Sequence, residues 1–366
     1  MSKSDRGFEG DKSKKKSKVI NYIIRGVAAV LGLSLGFILY WVYTFGGTYV
    51  AVPVVSKEDY STLELAAGDS TTGGDVTSSW SNGGHTRLYY DPSHPIIAVK
   101  QKDPDIENIL VFGIDARGTD DYTCRTDCMM ILSINSREHS LKIISLMRDT
   151  AVYIGDTQET LGTRLNKLNS AYHYGGVGEM INTINVTFDL DIQRFVMFDF
   201  GSAADMIDLV GGVEIEVKPE EVSYANKYLD EMYALDGNTS PHLTKGGIQT
   251  LDGHQAVAWS RIRYLDSDFV RASRQRTVAT ALMTKVNDMS YGRKLQLLND
   301  SAGVFETNMN TADIMRVALS CFDCLDNREE YRFPEDGTFT VQNDPWMMLV
   351  DFDEQKRRIN DYIWGE

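Results

Sequence analysis

Two clusters of carboxylates and guanidiniums, more than a hundred residues apart, are where this chain could do chemistry. The first runs Gly113-Ile114-Asp115-Ala116-Arg117, then Arg125-Thr126-Asp127, then Arg148-Asp149. The second runs Arg261-Ile262-Arg263, then Asp266, Asp268, Arg271, Arg274 and Gln275. Brought together, they would form a few carboxylates ringed by permanently charged forks. Arginine grips phosphate oxygens two at a time and keeps its charge at any relevant pH. Mg²⁺ prefers hard oxygen ligands, typically one or two carboxylates with phosphate oxygens and water. Such a site suits displacement at phosphorus on a multiply charged phosphate ligand, driven by positioning and preorganised charge.

The elements around these residues read as a sheet with helices between its strands. Asn108–Ile114, Met129–Asn135 and Leu141–Leu146 are short apolar runs of strand character, the last two joined by a polar turn at residues 136–140. Phe195–Asp199 and Val213–Val217 are further strands. Ser202–Val210 has helical spacing and stops at Gly211-Gly212; residues 171–186 and 271–287 are helical as well. Alternation of this kind predicts an α/β class, an α-β-α sandwich with a central mixed β-sheet flanked by helices. Asp115, Asp127 and Arg148 each sit beside a strand end, where a sheet can hold a loop residue over a crevice. Trp259–Tyr264 reads as a strand with Arg261 and Arg263 on one face and Ile262 opposite. Asp268, Arg271 and Gln275 fall on one helical face, with Arg274 close to it. Any one such Asp–Arg pair is ordinarily a surface salt bridge worth under about 1 kcal/mol. The ordered set is what departs from that.

The N-terminus sets the compartment. Residues 1–25 carry eight basic and three acidic side chains, and Gly26–Phe45 runs twenty residues without a charge. That length crosses a hydrocarbon core of about 30 Å. Tyr40, Trp41, Tyr43 and Phe45 crowd its far end like an aromatic belt, and the positive-inside rule leaves residues 1–25 cytoplasmic. The run exceeds a signal-peptide core and no small-x-small cleavage pattern follows closely. A single-pass cell-membrane protein with its catalytic domain outside is expected.

Beyond residue 25 the chain holds 29 basic and 49 acidic side chains. That balance argues against nucleic acid as a partner, since phosphate neutralisation needs a basic face. Residues 69–84 are small, polar and turn-forming, and read as a stalk or loop. The predicted organisation is a basic tail (1–25), an anchor (26–45), a stalk (46–104), a catalytic domain (105–290) and a C-terminal extension of unassigned role (291–366). Cys124, Cys128, Cys321 and Cys324 favour disulfides outside the cytoplasm over a Cys₄ metal site, with the pairing open.

Read in order, several segments resemble the LytR–CpsA–Psr family of extracytoplasmic, membrane-anchored enzymes. They are Asn108–Arg117, Arg125–Asp127, Ser145–Asp149, Lys167–Tyr172 followed by Tyr174-Gly175-Gly176, Val196–Phe200, Asp208–Val213, Leu251–Ala256 and Arg261–Gln275. Met147 stands where the family often has proline. The resemblance implies transfer of a glycopolymer from an undecaprenyl-pyrophosphate carrier to a peptidoglycan sugar hydroxyl, leaving a phosphodiester. It implies Mg²⁺ (or Mn²⁺) on Asp115 and Asp127, and pyrophosphate held by Arg125, Arg148, Arg261, Arg263, Arg271 and Gln275. Lys167 and Asp268 fall on matching positions. The polymer, teichoic acid or capsule polysaccharide, stays open, as does the proton acceptor: Asp115, Asp127 or substrate phosphate. A hydrolase of the same fold and a non-enzymatic envelope regulator are the rival readings. A prenyl chain would also need an apolar tunnel, expected along 195–200, 206–213 and 278–286.

Overall fold

A computed structural model describes residues 49–50, 52–57, 91, 93–115, 124–155, 164–263, 265 and 268–365. All belong to the contact unit Gly47–Glu366. The anchor expected at 26–45 lies outside them. Among the described residues no helix is long and apolar enough to cross a membrane.

The centre is a five-stranded mixed sheet. Its strands are β3 (Ile106–Ile114), β4 (Thr126–Asn135), β5 (Ser140–Leu146), β8 (Arg194–Phe198) and β11 (Arg328–Phe333), in the order β11-β5-β4-β3-β8. Short pairs surround it: β1 (Val54–Val55) with β2 (Ile96–Ile97), β6 (Ala151–Ile154) with β7 (Arg164–Lys167), β9 (Val213–Val217) with β10 (Gly247–Leu251), and β12 (Phe339–Asn343) with β13 (Trp346–Val350). The helices are α1 (Ala171–Phe188), α2 (Phe200–Leu209), α3 (Val222–Asp236), α4 (Gly253–Ser260), α5 (Asp268–Asn287), α6 (Tyr291–Asp300), α7 (Thr311–Cys324) and α8 (Phe352–Trp364). This is the expected mixed α/β sandwich. The C-terminal residues contribute to it directly, since β11 pairs parallel with β5 and α8 packs on α1.

Period-two alternation sorts the strand side chains into two faces that differ in closure. One face carries Ile106, Leu110, Phe112, Ile114, Met129, Ile131, Ile144, Leu146, Phe195 and Met197, all buried against α1 and α8. Phe112 anchors it, with ring centroids 5.7 Å from Tyr172 and 5.9 Å from Phe195. Burying side chains of this size contributes about 1.5–3 kcal/mol each. The opposite face is less covered. Ile109, Ile134, Leu141 and Ile143 are buried there, whereas Val111, Leu132, Val196 and Phe198 remain half-buried although β3 and β4 are central strands. Helix α7 lies over β4 and β5, and its Met315, Ala318, Leu319 and Phe322 are half-buried too, as are Ala281, Leu282, Met283 and Val286 of α5. Of the expected tunnel segments, 206–213 and the start of 278–286 instead join a second closed cluster, through Ile207, Val213 and Val278, with Ala281 and Leu282 packed against it.

Sheet direction places the functional ends together. β3 and β8 run parallel, β4 runs antiparallel to β3, and β5 antiparallel to β4. The ends of β3, β5, β8 and β11 and the start of β4 therefore share one edge. Glu107 marks the opposite edge, held by Arg194 and by Arg316 at 2.5 Å. Burial works to raise its carboxyl, but the two guanidiniums outweigh this and hold it below the ordinary 4.5. A depressed folded pKa means the stabilisation is complete above the unfolded value and disappears as pH falls through the folded one. The urea midpoints of the protein and a Glu107→Gln variant are thus expected to differ most near neutrality and to draw together as pH falls below the ordinary 4.5. A constant gap across that range would contradict it.

The cysteines depart from expectation. Cys124, Cys128, Cys321 and Cys324 carry no disulfide, with Cys124 and Cys324 buried. Cys321 and Cys324 close the end of α7 without stapling it.

Candidate functional site

Asp127, at the start of β4, is where the two sequence clusters meet. Arg148 Nη1, from the turn after β5, donates to Asp127 Oδ1. Arg263 Nη2 lies 3.2 Å from Oδ2, and Arg271 Nη1 of α5 lies 3.5 Å from the same oxygen. Burial tends to raise the Asp127 carboxyl, but Arg271, Arg148 and Arg263 together hold it below the usual range. It is an ionised carboxylate facing three cations, a local surplus of positive charge in an acidic chain.

That surplus opens into a cavity of about 140 Å³ lined by Asp115, Asp127, Lys227, Tyr228, Glu231, Arg261, Arg263 and Arg271. Four basic and three acidic side chains share it, so it attracts an anion while keeping oxygen donors for a cation. Asp115 follows β3, and its backbone N–H donates to the Arg125 carbonyl at 3.1 Å. Arg261 is fixed by stacking, with Cζ 4.3 Å from the Phe200 ring centroid and 5.4 Å from that of Tyr228. A guanidinium held between two rings keeps its donor edge oriented.

A smaller space on the other side of Asp127 is lined by Cys128, Arg148, Asp149, Gln275 and Arg276, among others. Asp149 is 1% exposed, accepts a hydrogen bond from Arg148 Nε at 3.2 Å and is ion-paired with Lys167 Nζ at 2.7 Å. Lys167 also sits 5.5 Å over the Trp346 ring. Asp149 thus orients two cations rather than meeting a ligand itself. Burial, with Asp127 adding to it, pushes the Cys128 thiol up to about 12, so it offers no nucleophile near neutrality.

Most predicted site residues converge. Asp115, Asp127, Arg261, Arg263 and Arg271 line the cavity, and Arg148, Lys167 and Gln275 stand at its flank. The Arg125 side chain is exposed and does not line the cavity. Arg117, Asp266 and the Asp268 side chain lie outside the described residues. Two readings change. Arg261 is the C-cap of α4 rather than a strand residue, yet Ile262 is still fully buried while its arginine neighbours reach the cavity. Arg274 is structural: its Nε and Nη2 donate to Glu221 Oε1 at 3.0 and 2.9 Å, and its Nη1 to the Ile262 carbonyl at 3.1 Å.

The local sequence explains why α4 delivers Arg261 to this place. Asp252 and Gln255 form a reciprocal capping box, and the Gly253 N–H donates to Asp208 at 2.7 Å. A Cβ on Gly253 would come 2.0 Å from the Ala204 carbonyl oxygen, so only glycine lets α4 pack this close to α2. Gly212, at φ +84°, makes the same kind of approach to the Leu251 carbonyl. These contacts are the physical content of Leu251–Ala256 and Asp208–Val213.

Sequence reasoning missed the wall opposite. The segment between β9 and β10 carries α3, which packs on α4 and supplies Lys227, Tyr228 and Glu231. The only available signal was Lys227 and Glu231 at i, i+4 on one helical face.

The profile of the LytR_cpsA_psr family matches residues 76–351. The chain belongs to the LytR–CpsA–Psr family. It is 29% identical over 259 residues to the polyisoprenyl-teichoic acid–peptidoglycan teichoic acid transferase TagU of Bacillus cereus (strain AH820), covering 69% of this chain and 77% of the relative. Among solved structures, TagT of B. subtilis aligns with a TM-score of 0.54 at 22% identity, covering 72% of this chain and 94% of that one. The family protein YwtF (TagT) with bound octaprenyl pyrophosphate lipid aligns at 0.52 and 21% identity, with coverages of 72% and 94%. At these identities the structures establish a shared LytR–CpsA–Psr fold.

Proposed function

We propose that this protein transfers a glycopolymer phosphate from an undecaprenyl-pyrophosphate carrier to a peptidoglycan sugar hydroxyl, working at the outer face of the cell membrane. The observation that carries the reading is the convergence of Arg148, Arg263 and Arg271 on Asp127, beside a cavity shared with Asp115 and Arg261. Family membership supports the reaction class, since the TagU relative is named as a teichoic acid transferase. An anionic polymer of that kind is the substrate favoured here.

The chain's own groups have defined tasks in this scheme. A pyrophosphate diester brings two negative charges, which Arg261, Arg263 and Arg271 meet in the cavity and Arg148 meets at its flank. On entry the phosphate oxygens take over guanidinium hydrogen bonds now shared by Asp127. The acceptor hydroxyl attacks phosphorus, and the bond to the lipid phosphate breaks. Charge moves onto that leaving phosphate, where fixed donors are each worth about 10²–10³ in rate. The half-buried patch of Val111, Leu132, Val196 and Phe198, with α7 beside it, offers the prenyl chain an apolar surface.

Asp115 and Asp127 are the residues that would hold Mg²⁺ (or Mn²⁺). No group of three or more His, Cys, Asp or Glu side chains is placed to hold a metal among the described residues. A two-carboxylate set fits an ion completed by phosphate oxygens and water. Bound there, it would neutralise phosphate charge.

The test is reconstitution of the full chain with a polyprenyl-pyrophosphate-linked oligosaccharide, with and without peptidoglycan. Polyprenyl phosphate is expected only with acceptor present, alongside oligosaccharide joined to the wall by a phosphodiester. Equal release without acceptor would make the protein a hydrolase.

A further inference from the structure

The cavity has a wall that the two arginine clusters do not supply. Lys227 and Glu231 lie one turn apart on α3, both exposed, with Tyr228 buried between them and the cavity floor. Glu231 Oε2 stands 4.0 Å from Arg261 Nη2, and Arg261 is itself fixed between Phe200 and Tyr228. This places one carboxylate at ion-pair distance from a guanidinium that faces the cavity.

The other carboxylates nearby are differently employed. Asp127 is gripped by three guanidiniums that stabilise its charged form and so make it a poor proton acceptor. Asp149 is buried under Arg148 and Lys167. Asp115 would be the second oxygen donor for a cation. Glu231 is the cavity carboxylate on the solvent side, where a bulky wall glycan can arrive without passing the sheet, and its side chain is 45% exposed.

We propose that the α3 face of Lys227, Tyr228 and Glu231 is the acceptor-sugar subsite, and that the Glu231 carboxylate takes the proton from the attacking hydroxyl. The inference rests on the transfer reading above. The acceptor O–H bond breaks as the new O–P bond forms, and the proton passes to Glu231. The electron pair of the cleaved P–O bond leaves with the polyprenyl phosphate. Glu231 then returns its proton to solvent, which its exposure permits. Lys227 and the Tyr228 ring edge contribute a donor and an apolar surface suited to a sugar.

Single-turnover transfer by the full chain, with lipid-linked oligosaccharide prebound and peptidoglycan saturating, tests it. Glu231→Gln is expected to lower the rate about 10²-fold, the lower end of general-base contributions. Affinity for the lipid-linked oligosaccharide, read by fluorescence of a labelled lipid, is expected to stay within about twofold. Glu231→Asp should recover part of the rate. Lys227→Ala should raise the acceptor concentration needed for half-maximal rate. A Glu231→Gln variant with parental rate would overturn the proposal while leaving the transfer reading intact. An equal loss of lipid affinity would reduce Glu231 to a support for Arg261 and also overturn it. If the parent protein itself fails to transfer, both readings fall together.

Discussion

Asp127→Asn is expected to abolish measurable transfer, a loss of about 10³-fold or more, while leaving the protein able to bind pyrophosphate. The substitution removes the one charge that Arg148, Arg263 and Arg271 share, and Arg271 is only 2% exposed. Uncompensated buried charge is expensive, roughly 3–5 kcal/mol when a buried pair loses one partner. The ligand-free variant should therefore melt well below the parent. Added inorganic pyrophosphate should restore more stability to the variant than it adds to the parent, because three guanidiniums then lack their counter-charge. In the absence of divalent cation, calorimetric affinity for pyrophosphate is expected to rise in the variant. Weaker binding there would mean that Asp127, not the arginines, holds the phosphates, and the site would have to be redrawn.

The second large effect is on stability and comes from a residue with no part in ligand contact. Glu221 is 2% exposed and accepts from Arg274 through Oε1 and from the Trp259 indole at 2.8 Å and the Lys218 backbone at 2.9 Å through Oε2. Arg274 in turn holds the Ile262 carbonyl, between the two cavity arginines. Glu221→Ala should cost roughly 3–5 kcal/mol by urea denaturation, since Arg274 is left buried without its carboxylate. The double variant Glu221→Leu, Arg274→Met should recover much of that, because apolar replacement of a buried pair is often neutral. Transfer should nonetheless stay reduced in the double variant, as the Ile262 carbonyl has lost its donor and the flanking arginines lose their fixed spacing. Full activity in a stable double variant would show that Arg274 supports the fold alone.

These two residues mark the limit of what one sequence reveals. Strand and helix identities were legible because period-two and 3.6-residue patterns are local: β9 coincides with Val213–Val217 as read, and helices near 171–186, 202–210 and 271–287 stand where spacing put them. Several residues whose meaning depended on a distant partner were misread. Arg274 stands in the second sequence cluster with Arg271 and Gln275, but Glu221 from another segment captures it. Trp259–Tyr264 alternated like a strand, yet the capping box at Asp252 had already started a helix that carries through Ser260. The cysteines suggested bridges on compartment grounds, and their placement in the fold forms none.

By itself the amino-acid order determined the α/β class, the clusters of carboxylate and guanidinium, and the family, since these rest on residue type and near-neighbour spacing. Only the tertiary structure decided that Asp127 is the meeting point, that Asp149 and Arg274 serve as braces, and that α3 walls the cavity. The physical reason is that charge interactions act through space over a few ångströms, and which side chains come that close is set by strand direction and helix packing across more than a hundred intervening residues.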